Sequence, residues 1–277
     1  MVKRMRSVAR FVARLSVAAL IAFGTVTLAM SFSQADLLFP VHAVPPAGPL
    51  PPNAERLEVR TAAGDTLRGV HLLPSGTAGP DLLIIGFGGN AWNGQHVAAE
   101  LRRIFPSADV VAFHYRGYNP STGEPSAKAL IEDAPLVYDA AVEQVRGKRV
   151  VAVGFSIGSA VAANLARSRA VDGLILVTPF DSLKAVASDL YPWLPVGLFF
   201  HHDMDAAAAL KHSAVPVAII AGERDDIVLP DRTNALRGQV GKLVFDRTIR
   251  GAGHNDIYNL SQFEEGMRDA LAAVTQY

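Results

Sequence analysis

The sequence predicts an α/β fold: a mostly parallel central sheet with helices on both faces. Two observations predict it. From about residue 55, short apolar runs rich in β-branched residues alternate with longer stretches of helical periodicity, the pattern of βαβ units. Half of the 277 residues are apolar and only 19% are charged. That is enough to cover both faces of a sheet, and it excludes wholesale disorder. The chain has no cysteine, which rules out disulfide frameworks, thiolate nucleophiles and cysteine-ligated metals.

Taken in order, the first 35 residues stand apart. Twenty-six basic residues balance 26 acidic ones, and a neutral chain gives no reason to expect a nucleic-acid partner. The balance averages two unlike pieces. Residues 1–35 hold Lys3, Arg4, Arg6, Arg10 and Arg14 and no acid, leaving the remainder with 21 basic and 26 acidic residues. Behind the basic segment 1–14, residues 15–35 are uncharged and mostly apolar. About 20 such residues cross a ~30 Å hydrocarbon core, and a preceding basic flank keeps the N-terminus in the cytoplasm. Residues 15–35 are therefore expected to be a transmembrane signal-anchor, with the following domain on the non-cytoplasmic side. Alternatively, Ser33-Gln34-Ala35 offers the small-x-small exit of a cleaved signal peptide, which leaves a secreted or periplasmic domain. Six prolines between Pro40 and Pro52 exclude a helix interior. Segment 36–54 reads as a Pro-rich linker, either a stiff spacer or a strip packed along the domain surface.

The domain expected over 55–277 begins with a hairpin. Residues 57–60 and 67–70 alternate apolar and polar about Ala63-Gly64-Asp65, as a two-stranded unit with one wet face does. Buried strands are expected at 82–86, 110–114, 149–154, 173–177, 215–221 and 242–248. Helices are expected at 95–104, 127–145, 157–168, 231–238 and 260–275. In sheets of this kind, ligands bind just beyond the carboxyl ends of the strands, so chemistry-bearing residues are sought there.

The strand at 149–154 runs into Gly154-Phe155-Ser156-Ile157-Gly158 and then into a helical pattern. G-x-S-x-G between a strand and a helix lifts the serine clear of the sheet, and the helix N-terminus offers N–H groups to a developing oxyanion. The plainer reading of Ser156 is an ordinary helix N-cap. A serine hydroxyl needs a base. Of eight histidines, His201, His202 and His212 precede the late strand at 215–221, and only His254 follows it, within Gly251-Ala252-Gly253-His254-Asn255. The orienting acid belongs after the strand at 215–221, where Glu223, Asp225 and Asp226 compete and spacing does not choose among them. After the strand at 82–86, Gly88-Gly89-Asn90 is suited to present a backbone N–H. Asn90 and Ile157 are the expected oxyanion donors. His201-His202-Asp203 suggests a metal at first sight, but consecutive residues rarely converge on one ion and no partner set accompanies them; no metal is expected.

With these residues placed, the chain resembles the α/β-hydrolase superfamily over roughly 55–277. The stretch Tyr115-Arg116-Gly117-Tyr118-Asn119-Pro120-Ser121-Thr122-Gly123-Glu124-Pro125-Ser126 looks like the Y-R-G-Y-G-x-S-x-G-x-P-S/T run of one branch. That branch holds membrane-anchored serine hydrolases, serine-aminopeptidase-like and related to animal protein depalmitoylases. Gly222-x-x-Asp225-x-x-Val228 is similar to its G-x-x-D-x-x-V motif, and on that resemblance Asp225 is the acid. Gly253-His254-Asn255 is similar to its G-H-N. The departures are Gly88-Gly89 for a His-Gly pair, Asn119 for Gly, and Val228 and Pro230 parted by Leu229. The resemblance implies a serine hydrolase, with Ser156, His254 and Asp225 acting together on a carboxylic ester or acyl-thioester and no cofactor. The expected partners are a small-molecule or lipid-like acyl substrate and, through the N-terminal helix, a membrane. Residues 181–212, with Tyr191, Trp193, Phe199 and Phe200, read as a short cap that receives an acyl chain, dips into the membrane surface or simply packs on the domain. An aminopeptidase-type peptide hydrolase and a non-catalytic scaffold on the same fold are the rival readings.

Overall fold

The structure, a computed structural model, describes residues 2–75 and 81–276; the side chains of residues 2–4 and 7, the basic Lys3 and Arg4 among them, lie outside the described residues. Helix α1 (Val2–Phe32) runs from the basic part of the N-terminal segment through most of the apolar part, stopping at Ser33 within the span expected over 15–35, and α2 (Gln34–Leu38) follows it after one residue. Within α1, Val8–Phe32 is long and apolar enough to cross a membrane, and only 6% of its most apolar stretch is buried against the protein. The proline-rich segment lies along the domain. Phe39 is buried in the core. The Asn93 and Gln95 side-chain amides donate to the carbonyls of Pro45 and Gly48, both at 2.9 Å.

Eight strands form one sheet: β1 (Ala54–Arg60), β2 (Thr66–Leu72), β3 (Leu82–Phe87), β4 (Asp109–Phe113), β5 (Arg149–Phe155), β6 (Gly173–Val177), β7 (Val217–Gly222) and β8 (Leu243–Ile249). Their order is β1-β2-β4-β3-β5-β6-β7-β8. The β1–β2 and β2–β4 pairs are antiparallel and all others parallel. The chain enters the parallel part at β3 and winds outward first one way and then the other, so β3 and β5 are neighbours at the reversal. Crevices form at such a reversal.

Strands β3 to β7 are buried on both faces because helices cover both. Along β3, Leu83, Ile85 and Phe87 enter one core with α4 (Ala127–Gln144), α5 (Ile157–Leu165) and α8 (Ala206–Leu210), while Leu82 and Ile84 enter the other with α3 (Gly94–Ile104) and α10 (Ser261–Thr275). The helical faces follow the 3.6-residue period: Val97, Leu101 and Ile104 on α3, and Phe263, Met267, Ala270 and Val274 on α10. The N-caps of α3 and α4 are Asn93 and Ser126, whose side chains accept from His96 N and Ala129 N. The remaining helices are α6 (Leu183–Leu190), α7 (Val196–Phe199) and α9 (Pro230–Arg237). Most elements lie within two residues of their expected bounds. The exceptions are β1, which begins three residues before the expected run at 57–60, and α5, which stops at Leu165 rather than running to 168, because turns closed by Arg167 N on Asn164 O and Ser168 N on Leu165 O replace its last turn. In the expected cap region, α8 packs into the core through Ala206 and Leu210, and α6 and α7 are the parts beside the cleft.

Candidate active site

The loops after β3, β5, β7 and β8 meet at one end of the sheet. Ser156 sits between β5 and α5 with φ 50° and ψ −116°, a left-handed conformation that costs a non-glycine residue on the order of 1–3 kcal/mol. The flanking glycines permit it. A Cβ on Gly154 would lie 2.3 Å from Gly158 O, and one on Gly158 would lie 2.2 Å from Phe87 O. Strand, helix and the loop after β3 can approach this closely only if both positions lack side chains.

His254 Nε2 lies 3.0 Å from Ser156 Oγ, and His254 Nδ1 lies 2.8 Å from Asp225 Oδ2. A carboxylate oxygen only accepts, so the ring proton belongs on Nδ1 and Nε2 is free to accept from the serine hydroxyl. Both Asp225 and His254 are buried. The second oxygen of Asp225 accepts from Ile227 N at 3.0 Å and Val228 N at 2.8 Å, which fixes the carboxylate from behind. The rival carboxylates are placed otherwise. Glu223 Oε2 accepts from Gly251 N at 2.8 Å and so braces the histidine loop, while Asp226 is exposed.

Asn90 and Ile157 line a cavity of about 240 Å3 together with Ser156 and His254. The loop that carries Asn90 lies alongside the serine turn: a Cβ on Gly89 would be in ordinary contact with Phe155 O at 3.6 Å and Ser156 Cβ at 3.7 Å. Two tyrosines hold this loop from below. Tyr115 Oη donates to Gly88 O at 2.8 Å and Tyr118 Oη donates to Asn90 Oδ1 at 3.2 Å. Burial pushes the Tyr118 hydroxyl up to about 12, so it stays protonated and a donor. Between them, Arg116 forms a two-pronged pair with Asp133, at 3.1 Å from Nε and 2.5 Å from Nη2. The tyrosine–arginine motif thus buttresses the loop beneath the cavity, a role its residue types alone did not disclose.

Sequence reasoning also missed Trp92, Tyr258 and the α2 residues Leu37 and Leu38, all of which line the cavity. Trp92 packs on Phe155 and Tyr258, with ring centroids 5.2 and 4.9 Å apart. The signal for Trp92 and Tyr258 was an aromatic residue within four positions of a site residue on the same loop; Leu37 and Leu38 had none. His201 and His202 lie elsewhere: His201 N donates to Gln34 Oε1, and the His202 ring meets Phe39 edge-on. Among the described residues, no group of three or more His, Asp or Glu is placed to hold a metal ion.

Residues 82–197 match the family of proteins with the alpha/beta hydrolase fold. The chain belongs to that family, and it is a hydrolase. It is 34% identical over 252 residues to an uncharacterized protein of Mycobacterium tuberculosis, with 87% of each chain covered. It is 28% identical over 192 residues to the lysophosphatidylserine lipase ABHD12 of Danio rerio, covering 59% of this chain and 50% of that one. Among solved structures, Pyrococcus furiosus esterase PF2001 superposes with a TM-score of 0.64 at 16% identity, over 83% of this chain and 96% of the other; at that identity the likeness is one of fold.

Proposed function

We propose that this protein is a membrane-anchored serine hydrolase of carboxylic esters or acyl-thioesters that works through an acyl-enzyme. The observation that carries this reading is the hydrogen-bonded chain Ser156 Oγ–His254–Asp225 at 3.0 and 2.8 Å. As Ser156 Oγ attacks the acyl carbonyl carbon, its proton passes to His254 Nε2, and Asp225 stabilises the resulting imidazolium. The backbone N–H groups of Asn90 and Ile157 bind the oxyanion. The imidazolium then protonates the departing alcohol or thiol as the acyl C–O or C–S bond breaks. A water gives its proton to His254 and attacks the acyl-enzyme; the acid leaves and Ser156 recovers its proton.

The cavity favours an ester over an aminopeptidase substrate. No carboxylate is among its lining residues, and Leu37, Leu38, Phe180, Leu183, Val186 and Ile227 are among the apolar side chains of its wall. A substrate α-ammonium brought there would lie unpaired, at a high desolvation cost. The similarity to a protein named as a lysophosphatidylserine lipase points the same way. The test is Ser156→Ala in the full chain. Hydrolysis of p-nitrophenyl acyl esters should fall on the order of 10³-fold or more, and fluorophosphonate labelling should vanish. Labelling that persists in the variant would overturn the reading, and cleavage of aminoacyl anilides in preference to esters would favour the peptidase. We place the domain on the non-cytoplasmic side of a single N-terminal span; a C-terminal reporter that is active only outside the cytoplasm should be active when fused to this chain.

A further inference from the structure

One wall of the Ser156 cavity comes from outside the sheet and its loops. Leu37 and Leu38 belong to α2, which continues from the apolar helix α1, and they line the cavity together with Ala187 and Tyr191 of the cap. These same four residues line a second cavity, a narrow groove of about 70 Å3 bounded by Met30 on α1 and by Val196 and Phe199 on α7. The two spaces are neighbours across these shared side chains. Gln34 closes the seam: its Nε2 donates to Phe199 O at 2.6 Å and its Oε1 accepts from His201 N at 3.0 Å. Both ends of one carboxamide are spent on the backbone of the cap, which ties the end of α7 to the start of α2. Beside this seam the cap exposes Leu190, Trp193, Leu198 and Phe199, with Leu198 78% exposed. Such a cluster at the end of a helix long enough to span a membrane marks the depth of the lipid interface.

We propose that the groove between α2 and the cap is an acyl-chain subsite filled from the bilayer, and that the substrate is a membrane-resident ester of a long-chain acyl group. The chain lies between α1–α2 and α7, its carbonyl reaches Ser156 past Leu38 and Tyr191, and the polar part of the substrate stays at the mouth near Asn90 and Asn255. The occupant follows from three observations: the groove is lined almost entirely by carbon, it shares four wall residues with the Ser156 cavity, and it sits beside the end of a helix long and apolar enough to span a membrane. This inference rests on the proposed role of Ser156 and adds where the chain lies and which part of the protein measures its length.

The test uses the full chain in phosphatidylcholine vesicles and a hexadecyl fluorophosphonate with a diazirine at the end of its alkyl chain. After attachment to Ser156 and photolysis, cross-links are expected within residues 27–38 or 191–200. Cross-links confined to residues 91–103 or 255–264, on the Trp92 and Tyr258 side, would overturn the subsite. So would an adduct of twice the chain's mass, which would put a second copy in the groove. Failure of the probe to attach at all would overturn the role of Ser156 itself, and the inference with it. As an independent reading, Val196→Trp should lower the ratio of kcat/KM for palmitoyl over butyryl p-nitrophenyl esters at least tenfold, and an unchanged ratio would overturn the proposal. If that variant does not fold, the cross-linking of the unaltered chain decides.

Discussion

At the scale of single residues, the serine turn holds its side chain in place at the expense of backbone strain. Ser156 is left-handed at φ 50°, and replacement by alanine keeps the Cβ that makes this unfavourable. Glycine removes it. Ser156→Gly should therefore melt about 2–4 °C above Ser156→Ala, the net of on the order of 1–3 kcal/mol of strain relieved and somewhat less than 1 kcal/mol of added chain entropy. Calorimetry of the two variants measures the difference. The carboxylates separate in the same way. Asp225→Asn should lower kcat by roughly 10⁴-fold, because an amide in place of Oδ2 favours the wrong imidazole tautomer, whereas Asp226→Asn should stay within about twofold. Equal losses in the two variants would refute the assignment. The placement of Ser156 was legible in the sequence because a strand, two glycines and a helix determine it locally. Spacing did not single out Asp225, since three carboxylates follow β7 within four positions; it was chosen on the resemblance of Gly222-x-x-Asp225-x-x-Val228 to a family motif. In the fold Glu223 is committed to Gly251 N while Asp225 faces the imidazole.

At the scale of elements, alternation and period were sufficient to place the strands and most helices, since helices cover both faces of the parallel part of the sheet and β3 to β7 are almost wholly apolar. What they could not register is contact between segments far apart in the chain. Tyr115 and Gly88 are 27 positions apart, and α2 meets the cap across 165. Tyr115→Phe leaves the Gly88 carbonyl without its donor at 2.8 Å. As Tyr115 acts through the loop, it is a positioning residue. Its loss should reduce kcat about tenfold with KM little changed, equivalent to about 1.4 kcal/mol of lost alignment. A change in KM alone would assign it a binding role instead. Gly158→Ala tests the closest approach of two elements. Its methyl would lie 2.2 Å from Phe87 O, and an overlap with backbone costs about 1–3 kcal/mol or more. A fall in Tm of about 5–10 °C is the expected result, read by thermal unfolding in detergent.

At the scale of the whole molecule, stability should depend on pH through a histidine other than His254. His114, just beyond β4, is buried, and its Nδ1 accepts from Gly94 N at 3.3 Å. Burial, and secondarily His96, lowers it from 6.5 to about 4. The neutral ring is the form the fold accommodates, so stability is complete above 6.5 and is lost as pH falls from there towards 4. At pH 5 the loss from this group is about 2 kcal/mol. Urea midpoints at pH 7.5 and 5 should differ accordingly, and His114→Gln should reduce the difference. The arrangement of strands has a further bearing on how the protein fails. Ser156 follows a central strand, but His254, 98 positions later, hangs from β8, which has a single neighbour and is half exposed along its length. Edge elements open ahead of the rest. Mild urea should therefore disarm the serine while the helical circular-dichroism signal is still intact, and amide exchange should be faster in β8 than in β5. The enzyme would then go silent through a reversible fraying of its margin, well before the molecule comes apart.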